Sequence, residues 1–228
     1  MLPLPKFVNP TVFAATSLLV AWTYFNGELF GYHATCMATG FLFFMGQGVV
    51  LANQGVVLKA GPQRLKVFQQ HMTCQVLGWL NIAGGFYAIY ANKTAHNKPH
   101  FMTNHSKLGL LVLFLGLIMA PLLGGGGFKW LGIYDKLPLN LQPIVKQSHR
   151  WVGGITYALA IPVILLGMAT PGIHRDYTTS IMQLLTVACG ALIFNSYRLK
   201  PTYERASSMP GTYTNLGAQI SMESIDAA

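Results

Sequence analysis

Four histidines are spaced along the chain so that each falls near the start of a long apolar run: His33, His71, His105 and His149. Ionisable side chains are costly inside a membrane and are usually retained there for function. Imidazole nitrogen is a good ligand for iron, zinc and copper. A lone histidine at a helix start is usually an interfacial polar residue, but four on four consecutive predicted helices favour binding of a metal or cofactor.

The order of these histidines predicts how they pair. Successive membrane helices run in opposite directions, so His33 shares one side of the membrane with His105, and His71 shares the other side with His149. A zinc site needs three or four protein ligands, whereas two axial histidines on facing helices suit a six-coordinate haem. With each histidine about 5 Å inside a hydrocarbon core about 30 Å thick, the two irons lie roughly 20 Å apart. We therefore expect two b-type haems and one-electron transfer across the membrane.

Glycines follow the histidines at positions that share their helical face. Gly109 and Gly153 come four residues after His105 and His149, and two further glycines, Gly40 and Gly78, come seven residues after His33 and His71. A missing side chain there leaves room for a flat macrocycle or for a neighbouring helix. We favour the macrocycle only for Gly109 and Gly153. Apart from the histidine pattern, the sequence shows no convincing internal repeat.

The elements that must position these residues are membrane helices. Only 9% of the 228 residues are charged and 52% are hydrophobic, so most of the chain is solvated by lipid. Six uncharged runs predict spans near 11–25, 33–58, 68–90, 108–123, 151–170 and 179–197. The predicted fold is an all-α membrane protein of one domain (1–228), with six transmembrane helices and a four-helix core, spans two to five, that holds two haems. The sequence predicts that residues 204–228 form a loosely ordered tail.

The distribution of basic residues predicts the orientation in the membrane. Of the 15 Lys and Arg residues, eleven fall on the side that holds both termini and the 124–146 loop. Basic loops stay cytoplasmic, so both termini are expected in the cytoplasm. The sequon at Asn92 agrees, since it lies on the predicted outer side. The basic residues lie singly between apolar runs, which does not suit a nucleic-acid partner.

Three stretches resemble the cytochrome b561 family: HFMTNHSKLG at 100–109, KQSHRWVG at 146–153 and LLGM at 165–168. The four ordered histidines complete the resemblance, which covers about 11–200. It is strongest to the short, single-domain members that act as transmembrane ascorbate-dependent reductases. In that family six spans carry two haems on one histidine from each of spans two to five. One departure is Ala34, where the family usually has proline after the first haem histidine.

The resemblance implies an oxidoreductase that takes electrons from cytoplasmic ascorbate and reduces a ferric chelate or monodehydroascorbate on the other side. It also implies an endomembrane or vesicle location, and family members are often homodimers. Ascorbate is an anion, so cations beside His71 and His149 are candidate substrate residues: Arg64, Lys66, Lys146 and Arg150. We favour Lys66 and Lys146. The alternative is that all four are ordinary cytoplasmic-side basic residues that reach the interface.

His100, five residues before His105, is a candidate at the opposite end. It is expected at the membrane surface above the His33 and His105 site, where imidazole can bind ferric iron or donate a hydrogen bond to a small acid. Its polar neighbours His96, Asn104 and Ser106 make this the outer loop best able to hold an acceptor. The resemblance favours this role over that of a solvated loop histidine.

Two other classes of function stay open from the sequence. One is a haem-bearing accessory or structural subunit of a larger membrane complex, without turnover of its own. The other is a histidine-bearing proton-coupled transporter without haem. The transporter is less favoured, because no predicted span contains an acidic residue and proton relays normally use Asp or Glu as well as His.

Overall fold

The computed structural model describes residues 8–58, 61–124, 133, 136–169 and 177–197, and their regular structure is entirely helical. The six helices are α1 (Val8–Tyr24), α2 (Leu29–Gly55), α3 (Pro62–Ala95), α4 (Asn104–Leu123), α5 (Leu141–Met168) and α6 (Tyr177–Ser196). This confirms the all-helical prediction. The predicted tail at 204–228 lies outside the described residues.

Four of these helices, α2, α4, α5 and α6, are long and apolar enough to cross a membrane. Helix α1 has 17 residues, and the first half of α3 is rich in polar side chains such as Gln69 and Gln70. Many large apolar side chains face outward, among them Trp22, Leu80 and Phe194. An apolar exterior of this kind is solvated by lipid, so the helices are those of an integral membrane protein. The count of six spans stays a prediction.

Two helices begin earlier than the sequence predicts. Helix α3 begins at Pro62, nine residues before His71, and α5 begins at Leu141, eight residues before His149. The starts predicted for these two spans, near 68 and 151, are therefore later than the observed starts of the helices. Uncharged runs mark only the apolar part of a helix, whereas Gln, Arg and Lys are good helix formers and extend it beyond that part.

The long loop predicted at 124–146 is correspondingly shorter, because its last six residues belong to α5. Pro143 lies in the first turn of α5. Proline is tolerated there because backbone N–H groups of the first turn have no intrahelical partner. Residues 125–132, 134 and 135 of this loop lie outside the described part of the chain.

The four central helices form two antiparallel hairpins. The first hairpin is α2 with α3, and the second hairpin is α4 with α5. Helices α1 and α6 pack against each other and against α2, where Phe13, Leu42 and Ile193 are buried. One buried polar side chain of α1, Ser17, is satisfied in this contact, since its Oγ donates to the carbonyl oxygen of Ala38 at 3.3 Å.

Two histidine pairs form the candidate functional site

The first pair joins the two hairpins through His33 on α2 and His105 on α4. Their ring centroids are 6.3 Å apart, with 82° between the ring planes. The Nδ1 atom of His33 lies 3.0 Å from the carbonyl oxygen of Gly85 on α3. The Nδ1 atom of His105 lies 2.8 Å from the carbonyl oxygen of Val163 on α5. Each imidazole of the first pair is therefore held by the other helix of its own hairpin.

The second pair repeats this arrangement with His71 on α3 and His149 on α5. The ring centroids are again 6.3 Å apart, and the ring planes meet at 78°. His71 Nδ1 lies 2.7 Å from the carbonyl oxygen of Gly48, and His149 Nδ1 lies 3.0 Å from that of Ala120. The structure thus brings together the four predicted residues in the two predicted combinations.

The hydrogen bonds assign the tautomer of all four rings. A carbonyl oxygen only accepts, so each Nδ1 atom carries the proton and donates it. The Nε2 atom of each ring then presents a lone pair. This arrangement, with the second ring nitrogen bonded to a carbonyl, is the usual state of a metal-ligating histidine.

The ring separation fits two axial ligands of one metal ion. With metal–nitrogen bonds of about 2 Å, two imidazoles on opposite sides of an ion have centroids about 6 Å apart. Among the described residues, no group of three His, Cys, Asp or Glu side chains is placed to hold a metal ion. Two histidines per site do not complete a zinc site but do suit haem, in which the porphyrin supplies the remaining four nitrogens.

The glycines divide as the sequence suggests. A Cβ atom on Gly40 would lie 2.6 Å from Ile82 Cγ1, and one on Gly78 would lie 2.7 Å from Met45 Cγ, so both allow close packing within the first hairpin. A Cβ on Gly153 would meet no atom within 4 Å, and one on Gly109 would meet Val163 Cγ1 at 3.7 Å. The space beside Gly109 and Gly153 therefore suits a flat macrocycle.

Sequence reasoning did not assign a role to Gly167. A Cβ atom there would lie 2.9 Å from Cε1 of His105, so the missing side chain makes room for the imidazole. Its signal was the LLGM stretch at 165–168, which contains this glycine. Thr103 also supports His105, because its Oγ1 accepts the N–H of Ser106 at 3.2 Å in a capping box at the start of α4.

The predicted cations lie near the second pair but differ in their contacts. Arg64 lies over the ring of Phe68, and Arg150 lies over the ring of Tyr197, each at 5.6 Å from the ring centroid. Lys146 is exposed on α5. Arg64 thus packs on a ring of its own helix, and Arg150 packs on a ring just after the end of α6.

Lys66 lines a cleft of about 400 Å³ between α2 and α3, together with Gln47, Leu51, Gln69, Gln70, Thr73 and Cys74. Gln47 Oε1 is buried and has no hydrogen-bond partner in the described structure. An unsatisfied buried acceptor is costly, so this atom calls for a donor from a ligand or water. Sequence reasoning missed Gln47.

His100 is packed on the loop between α3 and α4. Its ring stacks on Tyr90 with 4.3 Å between centroids and 24° between planes, and its Nε2 lies 3.3 Å from Thr94 Oγ1. Phe101 has a φ of 55°, a conformation that a bulky side chain rarely adopts unless its surroundings hold it there. The shape of this loop is therefore determined by its contacts.

Two neighbours expected to help His100 are engaged elsewhere. His96 Nδ1 lies 2.8 Å from the carbonyl oxygen of Asn92, one turn back in α3, and Ser106 closes the capping box of α4. Sequence reasoning missed Lys93, which donates to the carbonyl oxygen of Pro99 at 3.1 Å. Lys93 therefore joins the end of α3 to the loop that contains His100.

The fold defines an α-helical membrane protein, and its two histidine pairs have a geometry that suits haem. The sequence matches the family described as eukaryotic cytochrome b561 over residues 32–175, a range that contains all four histidines. The chain belongs to this family. It is 28% identical over 146 residues to the transmembrane reductase CYB561D2 of Homo sapiens and to that of Bos taurus. The match covers 64% of this chain and 63% of each relative.

Proposed function

We propose that the chain binds two b-type haems, one between each histidine pair, and passes single electrons across the membrane from cytoplasmic ascorbate to an acceptor on the other side. The observation that carries this proposal is the equal ring separation of 6.3 Å in both pairs, with every Nδ1 atom bonded to a carbonyl oxygen. Bound haem iron supplies reversible one-electron chemistry. The relatives named as transmembrane reductases support the proposal of electron transfer by a membrane protein.

The histidines orient and tune the two sites. Donation from Nδ1–H to a carbonyl oxygen fixes the ring orientation and makes Nε2 a stronger ligand. On α3, His71 and Gly85 mark the levels of the two pairs and are 14 positions apart, which is about 21 Å of helix. This separation agrees with the roughly 20 Å that suits electron transfer between two sites near opposite faces.

The Lys66 cleft is the proposed binding site for the electron donor. Lys66 precedes His71 by five residues, about 7.5 Å along the helix axis. Its ammonium group attracts the ascorbate monoanion, and Gln47 Oε1 accepts a hydrogen bond from a hydroxyl group of the ligand. Lys146, three residues before His149, adds positive charge at the same end of the core. Arg64 and Arg150 act as packing and topology residues.

The loop around His100 is the proposed exit for electrons. His100, Phe101, Tyr90 and Phe86 form a cluster of rings in which neighbouring centroids are between 4.3 and 6.5 Å apart. Phe86 directly follows Gly85, whose carbonyl oxygen holds His33. The cluster therefore extends from the first pair toward the membrane surface, where His100 binds a ferric chelate or monodehydroascorbate.

The protein is proposed to lie in an endomembrane or vesicle membrane, with both termini in the cytoplasm and a second copy as partner in a homodimer. The excess of Lys and Arg on one side supports the orientation. The second pair then faces the cytoplasmic donor, and the first pair faces the acceptor.

The test is haem content and reducibility of the purified full-length protein. We expect two haems per chain and reduction of both by ascorbate. Reduction by dithionite but not by ascorbate would indicate an accessory subunit that does not turn over ascorbate. A protein without a haem spectrum would contradict the haem sites and reopen the transporter hypothesis.

A further inference from the structure

Helices α2 and α4 each contain a π-helical segment, Thr39–Met45 in α2 and Phe114–Met119 in α4. In the first segment the N–H of Gly46 reaches back five residues to the carbonyl oxygen of Phe41, and in the second that of Ala120 reaches back to Leu115. Each segment therefore holds one residue more than a regular helical turn. Helices α3 and α5 contain no such segment in their described residues.

The extra residue appears in the spacing of the histidine sites. On α2, His33 and the acceptor Gly48 are 15 positions apart, and on α4 His105 and Ala120 are also 15 apart. On the partner helices the corresponding separation is 14 positions, from His71 to Gly85 on α3 and from His149 to Val163 on α5. The two hairpins are thus structural repeats that the sequence does not reveal.

The π segments compensate for the one additional residue in α2 and in α4. Each hairpin is joined by two reciprocal histidine–carbonyl bonds, so its two helices must cover the same axial distance between those bonds. Fourteen regular residues cover about 21 Å. A fifteenth residue in a regular helix would shift the distal site and rotate it by about 100°. Inside a π turn, the extra residue leaves the helical segments before and after it in the same relative position and orientation.

The π segments also accept two side-chain hydrogen bonds between the hairpins. The hydroxyl group of Tyr157 on α5 donates to the carbonyl oxygen of Phe41 in the π segment of α2. Trp79 Nε1 on α3 donates to the carbonyl oxygen of Leu117 in the π segment of α4, at 3.0 Å. Trp79 and Tyr157 are equivalent in the repeat, because each follows the histidine of its own helix by eight residues.

Contacts between the hairpins matter because each histidine pair takes one ring from each hairpin. A shift of one hairpin against the other would change both ring separations at once. Tyr157 is only 4% exposed, so its hydroxyl has no access to water as an alternative partner. A Cβ atom on Gly46 would clash with this hydroxyl, so a glycine is needed there.

We propose that Trp79 and Tyr157 are positioning residues that fasten the two hairpins together through the π segments and so hold both histidine pairs at their separation. This inference rests on the proposed function only where it concerns haem. Neither residue lines the Lys66 cleft or belongs to the ring cluster around His100. Their role is to keep the axial ligands of both sites in register.

The first experiment compares Tyr157→Phe and Trp79→Phe with the wild type, using the full-length protein in lipid nanodiscs. We expect two haems per chain in each variant, shifted g-values of the ferric haems in electron paramagnetic resonance spectra, and faster amide hydrogen exchange in the affected π segment. Tyr87→Phe and Trp22→Phe are matched controls, because these side chains are 72% and 86% exposed. Unchanged g-values together with unchanged exchange would overturn the proposal.

The second experiment removes one residue from each kind of helix. Deletion of Phe44 should convert the π segment of α2 to regular helix, keep both histidine bonds of the hairpin, and retain two haems. Deletion of Leu80, a 55% exposed residue in the regular part of α3, should rotate His71 away from Gly48 and cost at least one haem. Equal haem loss in both deletions would contradict the length relation.

The proposed haem function and the positioning role of Trp79 and Tyr157 can be refuted independently. If the protein binds no haem, the proposed function falls, but amide exchange still shows whether Tyr157 and Trp79 hold the π segments. If haem binds and the exchange and g-values of the Tyr157→Phe and Trp79→Phe variants match those of their controls, the positioning role falls and the proposed function stands.

Discussion

The Nδ1 atom of His71 lies 2.7 Å from the carbonyl oxygen of Gly48, on the other helix of its hairpin. This bond orients the imidazole of His71 through a backbone acceptor alone, without another side chain. A Cβ atom on Gly48 would lie 2.5 Å from Gln75 Nε2, so the glycine gives the Gln75 side chain room beside this bond. The same kind of histidine–carbonyl bond occurs at the other three histidines, with Gly85, Val163 and Ala120 as the acceptors.

Replacement of single histidines should remove haems pair by pair. We expect His71→Ala and His149→Ala to leave the same residual spectrum and about one haem per chain, because each removes one axial ligand of the second pair. His33→Ala and His105→Ala should share a different residual spectrum. Haem content and optical spectra measure this, with His96→Ala as a control that retains both haems. Any other grouping of the four variants would contradict the pairing.

Larger side chains at two glycines should have opposite effects. Gly153→Val should leave the fold intact but reduce haem binding at the second pair, since its Cβ meets no protein atom within 4 Å. Gly40→Val should lower the free energy of unfolding by about 1–3 kcal/mol, the usual range for overpacking, because its Cβ would lie 2.6 Å from Ile82. Haem content and thermal unfolding distinguish the two. If Gly153→Val lowered the free energy of unfolding as much as Gly40→Val, the argument for a macrocycle beside Gly153 would be contradicted.

Loss of the Lys66 charge should slow reduction by ascorbate while both haems stay bound. We expect Lys66→Met to lower the second-order rate roughly 3- to 10-fold at low salt, with the difference shrinking as salt rises. The double variant with Lys146→Met should be slower still. Stopped-flow reduction measures this, and Lys98→Met, at the other end of α3, is the matched control. A double variant as fast as wild type would return both lysines to topology roles.

The Lys66 cleft predicts a second effect, at Gln47. Gln47→Leu should weaken saturation by ascorbate, because it removes the buried acceptor that the ligand hydroxyl would satisfy. Its effect should persist at high salt, unlike that of Lys66→Met, since no charge is lost. The concentration dependence of the reduction rate measures both, and an unchanged half-saturating concentration in Gln47→Leu would place the donor outside this cleft.

Replacement of His100 should affect only the oxidation half of the reaction. We expect His100→Ala to slow reoxidation of the prereduced protein by ferric chelates while reduction by ascorbate stays normal. His96→Ala is the matched control from the same loop, because its ring bonds back to Asn92. Reoxidation at the wild-type rate at every chelate concentration would show that His100 takes no part in electron exit.

The sequence by itself determined the helical membrane class, the four histidines and their pairing. These depend only on composition and on the alternating direction of successive helices, which any α-helical membrane chain must obey. Helical periodicity also places Gly153 and Gly40 on the same helical face as a histidine, which made each a candidate for contact with a macrocycle or with a neighbouring helix. The substrate role of Lys66, which was inferred from charge and proximity in sequence, stays a prediction.

Only the tertiary structure decided what holds these residues in place. The starts of α3 and α5 lie beyond the apolar runs, since helix formation tolerates polar residues that hydropathy excludes. The carbonyl partners of the histidines, Gln47 in the Lys66 cleft, and the bonds from Trp79 and Tyr157 all join residues distant in sequence. Such contacts depend on how side chains interdigitate between helices, and a pattern of residue types along one chain does not encode that register.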